Sequence, residues 1–274
     1  VHCLYLVATP IGNLEDITLR ALRILGEAGL IAAEDTRKTR QMLKKYNIST
    51  PLISFNDHSK HAREEYILNH LEKFDVALVS EAGMPGISDP GYELVVKAVE
   101  RGIRVLPVPG ASAVTGAVAV SGLPTDRFCY LGFLPRKKKE RRLALESVAF
   151  EPGSIVLFEA PHRLISSLND IMAVLGDRRI AIAREMTKIY EEVFRGRVSQ
   201  ALEYFSAPKG EFTLVIEGCK EPEPSGLTDE DIRQLKEMKE SGTGARDAVM
   251  RLTRRTGLSR RTVYQAWLDI NSKD

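Results

Sequence analysis

Short β-branched and aliphatic runs alternate with helical patterns through the first 120 residues, and this alternation restricts the fold more than any other feature. Residues 4–9, 30–33, 52–54, 76–80 and 104–108 each read as a buried strand. Between them Thr18 caps a helix that puts Ala21, Leu22, Leu25 and Ala28 on one face. Further helices fit 37–46, a segment through Ile67, Leu68 and Leu71, then 92–101 and 112–121. Strands separated by helices close into a mostly parallel sheet covered on both faces.

A second α/β unit follows, with strands at 128–133, 154–159, 179–184, 190–196 and 212–217 and helices at 140–147, 163–175 and 198–205. Some of its strands run consecutively, so its sheet should be mixed. A Pro- and Glu-rich stretch, 219–227, reads as a linker. Beyond it, helices at 229–240 and 245–256 and a third capped by Ser259 form a helix-turn-helix-like pattern. The expected organisation is an N-terminal α/β domain (1–123), a second α/β domain (124–218), the linker, and a small all-α domain (228–274).

Three well-separated cysteines (Cys3, Cys129, Cys219) offer neither a Cys-x-x-Cys pair nor an even count. A metal site or disulfide framework is not expected, and a reducing cytoplasm is. The chain opens without the basic start and apolar core of a signal peptide. The uncharged stretch 105–125 is interrupted by Gly, Ser and Pro and falls short of a membrane span.

Ligands of open α/β sheets bind beyond the carboxyl ends of the strands. Three segments concentrate Gly, Pro and polar residues there: 9–13, 80–91 and 107–113. None is Gly-x-Gly-x-x-Gly or a Walker loop, so a ligand gripped through pyrophosphate is not indicated. On pattern alone these loops could equally be connectors.

At these loops the chain resembles the ribosomal RNA small subunit methyltransferase I family. The resemblance is carried by Val-Ala-Thr-Pro-Ile-Gly-Asn-Leu-Glu-Asp-Ile-Thr at 7–18, Ala-Glu-Asp-Thr-Arg-Lys-Thr at 33–39 and the 80–91 loop. Pro-Gly-Ala-Ser-Ala at 109–113, Phe-Glu-Ala-Pro-His-Arg at 158–163 and Ala-Arg-Glu-Met-Thr-Lys at 183–188 extend it over 3–217. It implies the tetrapyrrole methylase type of fold: two α/β domains with a cofactor cleft between them, here followed by the small helical domain. It also implies S-adenosyl-L-methionine as cofactor, 2′-O-methylation of a cytidine in the decoding region of 16S rRNA within the small ribosomal subunit, and a homodimer without membrane or metal. Where the family's loop reads Ser-Asp-Ala-Gly-Thr-Pro, this chain has Glu81 and Met84; Met84 supplies no hydroxyl, so a cofactor contact there would be through backbone.

Carried over by position, the resemblance implies cofactor contacts at Pro10, Met84, Ile87, Ser112, Ala113, Glu159, Met186, Phe212 and Leu214. Ile87, Ala113 and Leu214 could equally be core. A hydroxyl nucleophile gains from a positioned base. The candidates are Glu81, Asp89, Glu159 and Glu185, and Lys188 only if its pKa is lowered. Arg37 and Lys38 are candidate phosphate anchors, as is His162-Arg163, although each also fits a solvated helix start. The run Arg136, Lys137, Lys138, Lys139, Glu140, Arg141, Arg142 is six-sevenths basic and reads as a flexible phosphate-binding loop against the alternative of a solvated one. Between 246 and 267 six arginines face one aspartate, a balance of +5, with Arg260 and Arg261 opening the third helix. Two other functions fit less of the chain. A precorrin-type methylase needs neither basic segment, and a non-catalytic RNA-binding or assembly module needs no methyl donor.

Overall fold

The computed structural model describes residues 2–56, 60–219, 227–256, 258 and 260–270, with the side chains of 60–62, 254, 260 and 261 outside that description. It divides into two compact units, Val1–Gly218 and Cys219–Asp274.

The first unit opens with β1 (Cys3–Val7), α1 (Leu19–Glu27), β2 (Leu30–Ala33), α2 (Thr36–Lys45), β3 (Leu52–Ser54), α3 (Lys60–His70), β4 (Val76–Val79), α4 (Tyr92–Glu100) and β5 (Arg104–Val108). These strands form one sheet, β3-β2-β4-β1-β5, in which every pair is parallel. Alternate strand residues point to opposite faces. Val7, Ile31, Ala33, Ala77 and Val79 pack under α1 and α2, with Ile24, Leu25, Met42 and Leu43. Leu4, Leu30, Ala32, Val76 and Leu78 pack under α3 and α4, with Ile67, Leu68 and Leu94. Because all strands run one way, the loops after β1, β4 and β5 gather at one edge.

From that edge α5 (Ala113–Val120) leads into a second sheet made of β6 (Phe128–Phe133), β7 (Ser154–Glu159), β8 (Arg179–Arg184), β9 (Glu192–Arg197) and β10 (Phe212–Ile216). Its order is β6-β7-β10-β8-β9; β6 and β7 are parallel, and the other pairs are antiparallel. One face is covered by α6 (Lys138–Glu146), α7 (Leu164–Leu175) and α8 (Val198–Tyr204) over a core including Leu145, Leu157, Leu168, Ile182 and Leu214. The other face receives α5, whose Ala117 and Val118 bury against Val156, Ala181, Ala183 and Val215. Helix α5, which follows β5 of the first sheet, is thus anchored on the second sheet through an apolar layer, each buried Val or Leu contributing about 1.5–3 kcal/mol.

The second unit packs α9 (Asp229–Glu240), α10 (Ala245–Thr256) and α11 (Arg260–Asp269) around Leu235, Ala248, Leu252, Val263 and Trp267. Thr228 caps α9 through a reciprocal box with Asp231, which also accepts from Arg255. The expected cap Ser259 and the interior of the 219–227 linker lie outside the described residues.

Two local expectations change. The basic run is not a loop throughout, because α6 begins at Lys138. The strand expected from 190 begins at Glu192; Ile189 and Tyr190 stand exposed in the turn before it. Among the described residues no helix is long and apolar enough to cross a membrane.

Candidate active site

The loops after β1 and β4 are locked together first. Thr9 and Gly83 exchange two backbone hydrogen bonds of 2.9 Å, and the Thr9 hydroxyl donates to the Ser80 carbonyl. The 185–188 turn of the second half then closes on them. Asn13 donates its backbone N–H to Thr187 Oγ1 at 3.0 Å. A Cβ on Gly12 would lie 2.5 Å from Lys188 Cγ and 2.7 Å from Thr187 Oγ1, so only glycine admits this approach. Likewise a Cβ on Gly116 of α5 would lie 2.7 Å from Met186 Cε. Glu185 and Thr187 hold φ of +51° and +64°. Left-handed backbone is unfavourable for such residues and persists only where surrounding contacts impose it.

The N-terminus of α5 opens into the same cleft. Ser112 is its N-cap but makes no side-chain capping bond, so first-turn N–H groups remain available as donors. Ser112, Ala113 and Met186 are all half-buried there. Across the cleft, the Ser88 hydroxyl meets Tyr130 Oη on β6 at 2.8 Å.

One wall is acidic. Glu34 accepts the Glu81 backbone N–H at 3.1 Å, and Glu81 is ion-paired with Lys38. Asp89 lies within reach of both carboxylates. Burial, and then the charges of Glu34 and Glu81, raise its pKa to about 6 against a hydrogen bond from Ser80 that lowers it. Among the acid-base candidates, Asp89 thus has an ionisation moved toward neutrality.

Lys188 takes a different part from the one considered for it. Burial works to lower its pKa, but hydrogen bonds to Glu185 and Glu211 (3.0 Å each) outweigh burial and raise it, so it stays a cation. Burial raises the Glu185 pKa, yet Lys188 and the Glu211 N–H bring it below its ordinary value. The pair is a clasp that fixes the turn, poorly suited to proton abstraction.

Three expected cofactor contacts also read differently. Glu159 is 2% exposed and its carboxylate is used internally by Ser167, the Ala160 N–H and Arg163. Phe212 and Leu214 point into the helix-covered core, and their backbone lies in the ladder between β7 and β8. Between them lies Thr213, within the same expected strand contact. The alternation of β10 puts it on the α5 side. Ile87, by contrast, is 52% exposed and is not core. Pro10 is buried and Met84 half-buried at the locked loops.

A model of the tetrapyrrole (corrin/porphyrin) methylases matches residues 3–202. A ribosomal RNA small subunit methyltransferase I from Halalkalibacterium halodurans is 44% identical over 271 residues, covering 96% of this chain and 94% of its own. One from Thermotoga maritima is 55% identical over 218 residues, covering 78% and 98%. The chain belongs to the ribosomal RNA small subunit methyltransferase I family. Solved structures share its fold, including a diphthine synthase (TM-score 0.63, 14% identity, 79% of this chain and 90% of that one).

The basic candidates of this methyltransferase sit in different environments. Arg37 is exposed and Lys38 is tied to Glu81, both at the start of α2, where Asp35 accepts their backbone N–H groups. Arg136, Lys137, Lys138 and Lys139 are exposed. Arg141 is not available to RNA: it is 6% exposed and bound with Arg142 to the buried Asp170. Arg163 is likewise turned inward, to the carbonyls of Leu134 and Pro135. The side chains of Arg260 and Arg261 lie outside the described residues. The residues missed from sequence, Tyr130 and Ser88, carried no signal beyond strand alternation and loop composition.

Proposed function

We propose that this chain transfers the methyl group of S-adenosyl-L-methionine to the ribose 2′-hydroxyl of a cytidine in the decoding region of 16S rRNA. The observation that carries the reading is the convergence of the β1, β4 and β5 loops with the 185–188 turn at the uncapped start of α5.

The donor set fits a cationic, phosphate-free methyl donor. The uncapped N–H groups at α5 can bind a carboxylate or ring nitrogen. Pro10, Ala113 and Met186 offer apolar surface, and the Asp89 wall suits positive charge. When bound, the donor supplies an electrophilic methyl whose departing sulfur needs no proton. The protein's own work is then to orient the ribose and take one proton. Orientation can provide much of the acceleration, and Asp89 is the base we assign, its carboxylate receiving the hydroxyl proton. The Glu185–Lys188–Glu211 clasp keeps the cleft closed on the second half.

The test is tritiated methyl transfer to small subunits lacking the modification, followed by nucleoside analysis. Label in 2′-O-methylcytidine is expected; label in a base, or in a tetrapyrrole acceptor instead of RNA, overturns the reading. Arg136 to Lys139 are assigned to phosphate contact on the same substrate. Charge reversal of Lys137, Lys138 and Lys139 to Glu is expected to raise KM for the subunit about tenfold or more at low salt, with cofactor affinity unchanged. An unchanged KM would make the run a solvated helix start.

A further inference from the structure

The two ends of β8 and β9 differ sharply in character. At one end Glu192 and Arg184 pair beside the candidate active site. At the other, Arg179 of β8 stands directly opposite Arg197 of β9, and Arg195 is diagonal to Arg179 on the same face. Like charges opposite one another across a ladder are destabilising; Glu217 near Arg179 and Asp177 near Arg197 offset only part of this concentration of positive charge.

The three arginines line a concavity of about 300 Å³ together with Ser121, Leu123, Ile180, Gly196 and Gln200, and no acidic residue is among the lining. Arg195 donates to the carbonyl of Val120, at the end of α5, through Nε at 3.0 Å. Arg197 donates to the Asp177 carbonyl at 2.7 Å, while the Asp177 carboxylate is turned to the backbone and hydroxyl of Ser199. Among the described residues neither Arg195 nor Arg197 is ion-paired. Arg179 reaches Glu217 only at 3.9 Å. The Gln200 oxygen accepts from the Arg197 N–H, leaving its amide NH₂ to donate. The pocket therefore offers several guanidinium donors and one amide donor, a set matched to phosphate oxygens.

We propose that this arginine triad binds a phosphodiester of the RNA substrate, a second anchor roughly 17 Å from the methyl-transfer cleft along β8. The proposal rests on the RNA reading given above. Two spaced anchors on one polyanion act together through effective concentration and would fix which ribose reaches the cleft.

The test compares the full-length wild type with Arg179→Gln, and with the Arg179→Gln/Arg197→Gln double variant, for binding to unmodified small subunits across a salt series. The double variant is expected to bind about tenfold more weakly at low salt, with a salt slope smaller by about 1.5. Its S-adenosylmethionine affinity should be unchanged and its Tm within a few degrees of wild type, since a like-charge pair and the exposed contacts of Arg179 with Glu217 and of Arg197 with the Asp177 carbonyl leave together. The single variant should fall between. Unchanged affinity and slope in a folded double variant would overturn the proposal. So would a titration in which inorganic phosphate stabilises the wild type but not the variant while subunit binding stays the same; the pocket would then be a small-anion site. A wild type that binds no subunit and transfers no methyl overturns the functional reading instead.

Discussion

Asp89→Asn is expected to lower kcat/KM for methyl transfer by roughly 10²–10⁴-fold, the usual contribution of a positioned base, while leaving donor affinity within a few-fold. The pH profile gives the more specific result. A base must be ionised to act, so wild-type activity should rise through a pKa of about 6 and level off above it. Burial and the Glu34 charge both raise that value. Glu34→Gln retains an oxygen to accept the Glu81 N–H and removes the negative charge. Its profile should therefore break at lower pH, with the plateau rate nearly preserved. A limb near 6 that survives Asp89→Asn would assign the proton to another group. A limb unmoved by Glu34→Gln would remove the electrostatic part of the argument.

The largest effect on stability is expected at Asp170, which the chemistry does not touch. Its buried carboxylate holds Arg141 at 2.6 Å and Arg142 at 2.8 Å, bridging α6 to α7. Asp170→Ala strands the buried Arg141 guanidinium without a counter-charge. Breaking a buried pair from one side costs about 3–5 kcal/mol, a Tm fall of roughly 10 °C for a unit of this size. Replacing both sides, Asp170→Leu with Arg141→Met, should recover much of the loss, because the desolvated charges leave together. A fall of under about 1 kcal/mol for the single variant would mean that solvent reaches the pair. The pair also has a pH signature. Burial raises the Asp170 pKa, but the two arginines hold it below its ordinary value on balance. Its stabilisation is thus complete above the unfolded carboxylate pKa and is lost as pH falls through the depressed folded one. The Asp170→Ala variant should lose that part of the acid transition.

Much of the fold was legible because periodicity and burial report the same thing. The runs at 30–33 and 76–79 have no polar side, and both became strands covered on two faces. Thr18 and Gly12 were also readable, the first as a cap and the second within a family pattern. Arg141 was not. A one-dimensional charge run cannot show that one helical position turns inward, whereas the 3.6-residue period of α6 places Arg141 against Asp170, 29 residues away. Lys188 is similar: its role depends on Glu211, 23 residues distant, and no local pattern announces that partner. Phe212 and Leu214 were placed on the right strand, but the side each faces depends on which helices cover the sheet.

Sequence alone therefore determined the order of strands and helices, the two-sided burial of the first sheet, the carboxyl-end loops and the family, since these follow from short-range periodicity and contiguous motifs. Tertiary structure alone decided the state of each charge. Asp89 near neutrality, Lys188 held as a cation, Arg141 hidden and Arg179 set against Arg197 all arise from desolvation and from partners remote in the chain, and both come into being only when the sheets pack.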